Sequence, residues 1–402
     1  MPPWILPPFL AAHPFQWNAL LLFGGLLLLG SIGGYLVSRN PWVPRITGYL
    51  LAGFALGAGG VNWLSGEVLQ LANVFADIAV ALVVYQLGRY VDIGWLRRER
   101  WLLATICTSA LLCFVFVWLV LEWSGLPRTL AALAAVFAIG AAPAVVMVVI
   151  RDLNAEGYLT RRLAAMTALN TLVAILATYL LLPVVATESA TSISTQVSHT
   201  LYSLCGSLLL AYFTYRVTIP LARLIGREKT RQFVLVIAVI TLIIGAARAL
   251  QLPVLLTMLA FSILSKNLDI QYDLMELEFD IANELFIVVL FVTIGASITL
   301  SDVFAVGPAV LALIAARTAA IGCAVFAFAR PAKLKWKQAG LLTLGNLPMA
   351  ECRLELAQLS FLYPHTTAEI APLFAGALIV MELLGPIAAQ FALVRSGEGG
   401  QE

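Results

Sequence analysis

The feature that most constrains this chain is a succession of apolar runs, each long enough to cross a lipid bilayer. A transmembrane helix needs about 20 apolar residues, within a range of roughly 17–25. By that ruler thirteen segments qualify: 17–38, 45–60, 67–89, 102–123, 129–150, 162–185, 199–221, 232–249, 252–265, 280–299, 303–329, 337–361 and 367–391. The second and ninth are short. Of the 402 residues 61% are hydrophobic and 11% are charged, against about 25% charged in a soluble domain. Such a chain cannot cover its own apolar surface, so its partner is the bilayer. The expected fold is an all-α membrane protein, a single transmembrane domain over 1–402 with no appended soluble domain.

The basic residues fix orientation. Arg39 and Arg45 follow the first span, Arg97, Arg98 and Arg100 the third, and Arg151, Arg161 and Arg162 the fifth. Arg223, Arg227, Lys229 and Arg231 follow the seventh, Lys266 the ninth, Arg330, Lys333, Lys335 and Lys337 the eleventh, and Arg395 the last. The alternate loops hold only Arg128 and Arg248. Lys and Arg gather on the cytoplasmic side, so the N-terminus is expected outside and the C-terminus in the cytoplasm. An odd count leaves two sets of six spans, about 17–185 and 232–391, joined by the seventh and opposite in orientation.

Two spans carry interruptions in matching places. Gly140-Ala-Ala-Pro143 breaks the fifth span, and Gly345-Asn-Leu-Pro348 breaks the twelfth. Paired Gly/Pro breaks in the two halves of an inverted repeat mark the site of a transporter. Unwound backbone survives at membrane depth only where protein or water satisfies it. Pro143 and Pro348 are therefore expected at a polar centre. A proline kink is the simpler reading of either one alone.

Ionisable side chains inside a span are costly, and by default they are functional or paired. Asp77 lies in the third span, Glu284 near one end of the tenth, and Arg317 in the middle of the eleventh; Glu351, Arg353 and Glu355 lie in or after the second break. Glu351 and Glu355 share a face if the helix after Pro348 is regular. Arg216 and Glu382 also fall within spans, away from the breaks in sequence. Arg317 cannot deprotonate and needs acceptors; the candidates are Glu351, Asp77, the Asn170 carbonyl and the carbonyl ends of the half-helices. Asn170-Thr171 is an uncharged polar pair in the sixth span, suited either to a site or to tying helices together.

Other chemistry finds no support. Net charge is +2, too small to imply nucleic acid. The five cysteines and three histidines form no metal-ligand spacing. Phosphate loops and nucleophile elbows are absent, so no enzyme and no cofactor is expected. The first sixteen residues lack the basic start of a leader peptide.

Several stretches together resemble the monovalent cation:proton antiporter superfamily, in its bacterial sodium (or potassium)/hydrogen exchanger-like branch. They are Arg45-Ile-Thr-Gly-Tyr-Leu-Leu-Ala-Gly-Phe-Ala-Leu-Gly57, Phe75-Ala-Asp-Ile-Ala-Val-Ala-Leu-Val-Val-Tyr-Gln-Leu-Gly88, Phe291-Val-Thr-Ile-Gly-Ala-Ser-Ile298 and Met349-Ala-Glu351. The resemblance covers nearly all of 43–391. It implies a sodium/proton antiporter-like fold, a homodimer and a bacterial inner-membrane location. Asn170 matches the first position of the family's Asn-Asp pair, but Thr171 stands where the ion-binding acid belongs. Arg317 matches the basic residue that normally pairs with that acid, and Glu351 matches a family glutamate. In place of the Thr or Ser at the first break this chain has Ala141-Ala142-Pro143.

Three functions fit the residues. The first is Na⁺ or K⁺ exchange for protons by alternating access, with spans 4–6 and 11–13 moving against the rest. A threonine does not titrate, so another acid must then carry the proton, Glu351 first and Asp77 second. The second is transport of a different, anionic solute drawn by Arg317 and the half-helix N-termini. The third is a non-transporting sensor or partner subunit. The expected ion or substrate site is Pro143, Asn170, Thr171, Arg317, Pro348 and Glu351, with Asp77, Glu284, Arg353 and Glu355 as secondary candidates.

Overall fold

In the computed structural model the described residues are 19–39, 43–63, 67–185, 193–226, 228–269, 280–299, 307–349 and 364–399. They form fifteen helices. The first four are α1 (Ala19–Ser38), α2 (Arg45–Leu56), α3 (Glu67–Arg89) and the short α4 (Ile93–Arg98); α5 (Arg100–Trp123), α6 (Arg128–Phe137), α7 (Pro143–Asp152) and α8 (Tyr158–Val185) follow. Next come α9 (Ile193–Ile225), α10 (Lys229–Ala249), α11 (Val254–Leu268), α12 (Asp280–Ala296), α13 (Pro308–Ala329), α14 (Trp336–Gly345) and α15 (Pro364–Ser396).

Seven of these helices are long and apolar enough to cross a membrane. Arg45–Leu56, Arg128–Phe137, Val254–Leu268 and Glu284–Ala296 are shorter apolar helices. The expected fifth span is two half-helices, α6 and α7. The expected twelfth span begins as α14 and stops at Gly345; its continuation, with Glu351, Arg353 and Glu355, lies outside the described residues. A helix the apolar pattern did not suggest, α4, follows α3. Asp92 caps it, accepting a hydrogen bond from the Trp95 amide at 2.9 Å.

The helices sort into two groups by what they pack against. In one, α2 packs on α1 and α12, α3 on α11 and α12, and α9 on α10 and α11. In the other, α5 packs on α13 and α6, α14 on α13 and α15, and α8 on α6 and α7. The groups meet where α3 touches α7 and α8, α9 touches α8, and α15 touches α2. Lipid tails are as apolar as leucine, so membrane helices associate through close backbone approach rather than water exclusion. Gly53 and Gly295 allow this between α2 and α12: a Cβ at Gly53 would strike the Val292 carbonyl, and one at Gly295 the Leu50 carbonyl. Apolar side chains also cover the outside, among them Leu28, Leu36, Trp123, Leu209 and Phe213, all more than half exposed.

The second group has its own apolar cluster, which brings Ala138 and Ile139 of the first break together with Met349 of the second, Ala174 of α8, and Phe374, Leu378 and Met381 of α15. Phe137 and Phe374 meet edge to face at 5.5 Å between ring centroids. This cluster holds both breaks at one level of the bundle.

Candidate functional site

The first break follows from Pro143. Proline has no amide proton to continue α6, and it forces the residue before it out of the helical region. Ala142 accordingly sits at φ −111°, ψ 87°, and Pro143 opens α7 at its first turn. The chain from Ala138 to Ala142 is left non-helical. Pro348 acts in the same way on the second break. α14 ends at Gly345, and Asn346 and Leu347 close it with single-turn hydrogen bonds, to Leu342, Thr343 and Leu344.

Each α-helix ends with carbonyls that lack partners within the helix, together equivalent to about −0.5 of a charge. α6 and α14 point two such ends at each other, and Arg317 of α13 lies between them, 2% exposed. Its Nε donates to the Ala138 carbonyl at 2.8 Å, and its Nη2 donates to Gly140 at 2.9 Å. On the other side Nη1 donates to Leu347 at 2.7 Å and Nη2 to Asn346 at 3.3 Å. One guanidinium therefore links the two half-helices. The Ala138 carbonyl also accepts from the Cys113 thiol at 3.2 Å. Of the acceptors the sequence suggested for Arg317, the half-helix carbonyl ends are the ones it is seen to use.

α8 passes across both breaks. A Cβ on Gly140 would lie 3.6 Å from Ala174, and the Asn346 amide nitrogen reaches Met166 Sδ at 3.9 Å. Residues 166, 170 and 174 are spaced i, i+4, i+8 and share a face. Asn170 thus stands between the two breaks. Among the described residues its Oδ1 has no hydrogen-bond partner, nor has Thr171 Oγ1 or Asn346 Oδ1. Asn170 is 3% exposed, Thr171 2% and Asn346 1%. A buried polar atom without a partner costs about 1–3 kcal/mol; the two amide oxygens are acceptors, so they call for a water that donates to them or a cation that they coordinate. Asn346 lies in the Gly345-Asn-Leu-Pro348 run, and the sequence signal for it is an amide two residues before a helix-breaking proline.

The remaining candidates separate. Asp77 forms an ion pair with Arg248 of α10, at 15% and 53% side-chain exposure, so it ties α3 to α10. Glu284 lies 3.7 Å from Arg45, both about half exposed. Asp152, at the end of α7, belongs to the same rim. Its side chain reaches solvent, but the protein crowding it pushes its carboxyl up from 3.8 to about 6, against the opposing pull of Arg45 and Arg151 and with a further push from Glu284. Glu382 is remote from the breaks in sequence, but it is 1% exposed and lies one helical turn from Gly385, which packs on Pro348. No group of three or more His, Cys, Asp or Glu able to hold a metal occurs among the described residues.

The N-terminal end of α8 is fixed by a contact that sequence spacing does not announce. The Glu398 carboxylate accepts from the Leu159 amide at 2.8 Å, the Thr160 amide at 2.7 Å and the Thr160 hydroxyl at 2.8 Å. A carboxylate at a helix N-terminus offsets the dipole and satisfies free amides. Beside it Arg162, 1% exposed, pairs with Glu99 and lies over the Tyr158 ring at 4.4 Å.

Residues 20–395 match the family model "Sodium/hydrogen exchanger, transmembrane". The chain belongs to the sodium/hydrogen exchanger family. Two solved structures of the sodium proton antiporter MjNhaP1 from Methanocaldococcus jannaschii are similar to it. One, determined at pH 8, has a TM-score of 0.61 at 15% identity, covering 94% of this chain and 95% of that one. The other, an electron-microscopy structure, has a TM-score of 0.70 at 15% identity, covering 98% and 97%. At that identity the likeness establishes the fold, which is antiporter-like and helical throughout the described residues. A search of curated proteins found no match. Within this exchanger family the protein is a multi-pass membrane transporter.

Proposed function

We propose that this exchanger moves a monovalent cation, Na⁺ or K⁺, in one direction across the bacterial inner membrane and protons in the other. The cation is held at the crossing of the two broken helices. The observation that supports the reading is the trio of buried oxygens, Asn170 Oδ1, Thr171 Oγ1 and Asn346 Oδ1, that have no hydrogen-bond partner among the described residues. Neutral oxygen donors suit a monovalent cation. Arg317 speaks against an anionic solute, because its donors are already directed at four backbone carbonyls.

In this reading α5 to α8 and α13 to α15 form the moving part, and the other helices form a panel that pairs two copies into a homodimer. Residues 17–185 and 232–391 are the two inverted repeats, with the N-terminus outside and the C-terminus in the cytoplasm. Cation and proton cross on the same site at different times. That demands a carboxyl able to hold a proton in one state and release it when the cation enters. Two acids lie close to the second break in sequence or in space, Glu351 and Glu382.

The test is a flux measurement on protein reconstituted into liposomes carrying a pH-sensitive dye. An imposed Na⁺ or K⁺ gradient is expected to drive a pH change of opposite direction. Folded protein that gives none with Na⁺, K⁺ or Li⁺ refutes the proposal.

A further inference from the structure

An exchanger without an acid at position 171 needs its proton-carrying group elsewhere, and the fold brings one carboxyl to the right depth. Glu382 lies in the middle of α15, the helix that packs on α14, α7, α13, α2, α6 and α8, and its side chain is 1% exposed. Three residues on, a Cβ at Gly385 would come within 2.9 Å of Pro348 Cα and 3.1 Å of its Cβ. Residues i and i+3 share a helix face, and a rise of 1.5 Å per residue separates them by only about 4.5 Å along the axis. Glu382 is thus one turn from the second break. Two turns before it, Phe374 packs against Phe137 at the end of α6. The stretch from Phe374 to Gly385 spans the distance between the two breaks, and Glu382 is the acidic residue in that stretch.

The charged groups on the helices around α15 are distributed unevenly. Among the described residues Arg45, Arg128, Arg151, Asp152, Arg161, Arg162, Arg330 and Lys337 all lie at or beside helix ends. Arg317 is the one in the interior of its helix, and it binds Asn346 and Leu347, the residues just before Pro348. Glu382 and Arg317 therefore approach the same break from two helices. An acid inside a membrane span is by default functional or paired, and Glu382 stands one turn from the break whose carbonyls Arg317 holds.

We infer that Glu382 carries the proton in this exchanger, in place of an acid at Thr171: its carboxyl gives a proton to water as the cation enters the crossing and takes one back as the cation leaves. The inference rests on the antiport reading and assigns its titrating group. Glu351 is the rival.

The experiment compares wild type, E382Q, E382D and E351Q in liposomes with Na⁺ and K⁺ gradients, each variant first shown to be folded by gel filtration and thermal unfolding. A second readout is proton release when NaCl or KCl is added to detergent-solubilised protein in weak buffer, which a merely structural role for Glu382 would leave intact. Folded E382Q is expected to lose both coupled exchange and proton release, with E351Q retaining them. The ordinary pKa of Asp lies about 0.4 below that of Glu, so E382D is expected to keep exchange with a displaced pH midpoint. Exchange by E382Q with an unchanged pH profile overturns the inference and leaves antiport standing, as does loss confined to E351Q. If E382Q fails to fold, an unmoved midpoint in E382D overturns it. A wild type that exchanges none of the cations overturns both readings.

Discussion

Arg317→Met is the sharpest perturbation of the crossing, because it removes the one group that holds both half-helices. Four hydrogen bonds from a charged donor disappear, to Ala138, Gly140, Asn346 and Leu347. At about 1.5–3 kcal/mol each, a simple sum gives roughly 6–12 kcal/mol. That is an upper bound, because water entering the crossing re-solvates some of the carbonyls. Removing one side of a buried ionic arrangement usually costs about 3–5 kcal/mol. An unfolding entropy of about 2.1 cal/mol/K per residue amounts to ~0.8 kcal/mol/K for a chain of this length, so 4 kcal/mol lowers Tm by about 5 °C.

Arg317→Lys keeps the charge but replaces a planar fork by a single nitrogen that cannot span both helix ends. A loss of about half that size is expected. The assay is thermal unfolding in detergent followed by tryptophan fluorescence, at one fixed scan rate because heating is commonly irreversible for large proteins. If Arg317→Met unfolds within about 1 °C of wild type while transport fails, the guanidinium serves a solute rather than the fold, and the reasoning given for it is wrong.

Three further outcomes are expected. Thr171→Asp adds a carboxyl where this chain has a hydroxyl, so it should lower the cation concentration giving half-maximal flux; combined with E382Q it should restore the coupled exchange that E382Q lacks, and failure of both effects would show that residue 171 does not face the ion. Glu398→Ala removes the cap on α8, a loss of about 1 kcal/mol, and should speed hydrogen exchange of the 158–162 amides roughly fivefold, with unchanged rates counting against the contact. Asp152 titrates near 6 in the fold against 3.8 as its ordinary value, so the folded state holds the extra proton and its contribution falls as pH rises from about 4 to about 6; the Tm of Asp152→Asn minus that of wild type should increase across that window, and a flat difference would refute the shift.

The membrane-spanning character and the first break were legible in the sequence because they depend on local properties. Apolar length sets the spans, and a proline cannot continue the helix before it, so Gly140-Ala-Ala-Pro143 and Gly345-Asn-Leu-Pro348 announce their own interruptions. The acceptors of Arg317 were legible only as a set of possibilities. Which of them it meets depends on how three helices pack, and that is decided by side-chain fit across the whole bundle. Asp77 shows the same limit: nothing near it in sequence points to Arg248, 171 residues away. Glu382 was visible as an acid inside an apolar segment, but its distance from Pro348 along the chain gave no hint that α15 returns to the same depth. The Glu398 cap on α8 left no signal at all, since a carboxylate in a polar tail resembles any other.

Charge arithmetic connects these observations. Two helix C-termini bring about −0.5 each to the crossing, the N-terminus of α7 brings about +0.5 and one guanidinium +1, so the backbone offsets most of the Arg317 charge and leaves the centre slightly positive. Had Arg317 served only to face an acid on α8, a chain with Thr171 would carry an uncompensated buried cation, at a cost of several kcal/mol. Its four carbonyl acceptors explain how the fold keeps the arginine beside a threonine. The acid matters for function because the amide and hydroxyl oxygens of Asn170, Thr171 and Asn346 can solvate a cation but cannot exchange it for a proton. In the proposed mechanism the exchange needs a carboxyl, and α15 brings Glu382 within one turn of the second break.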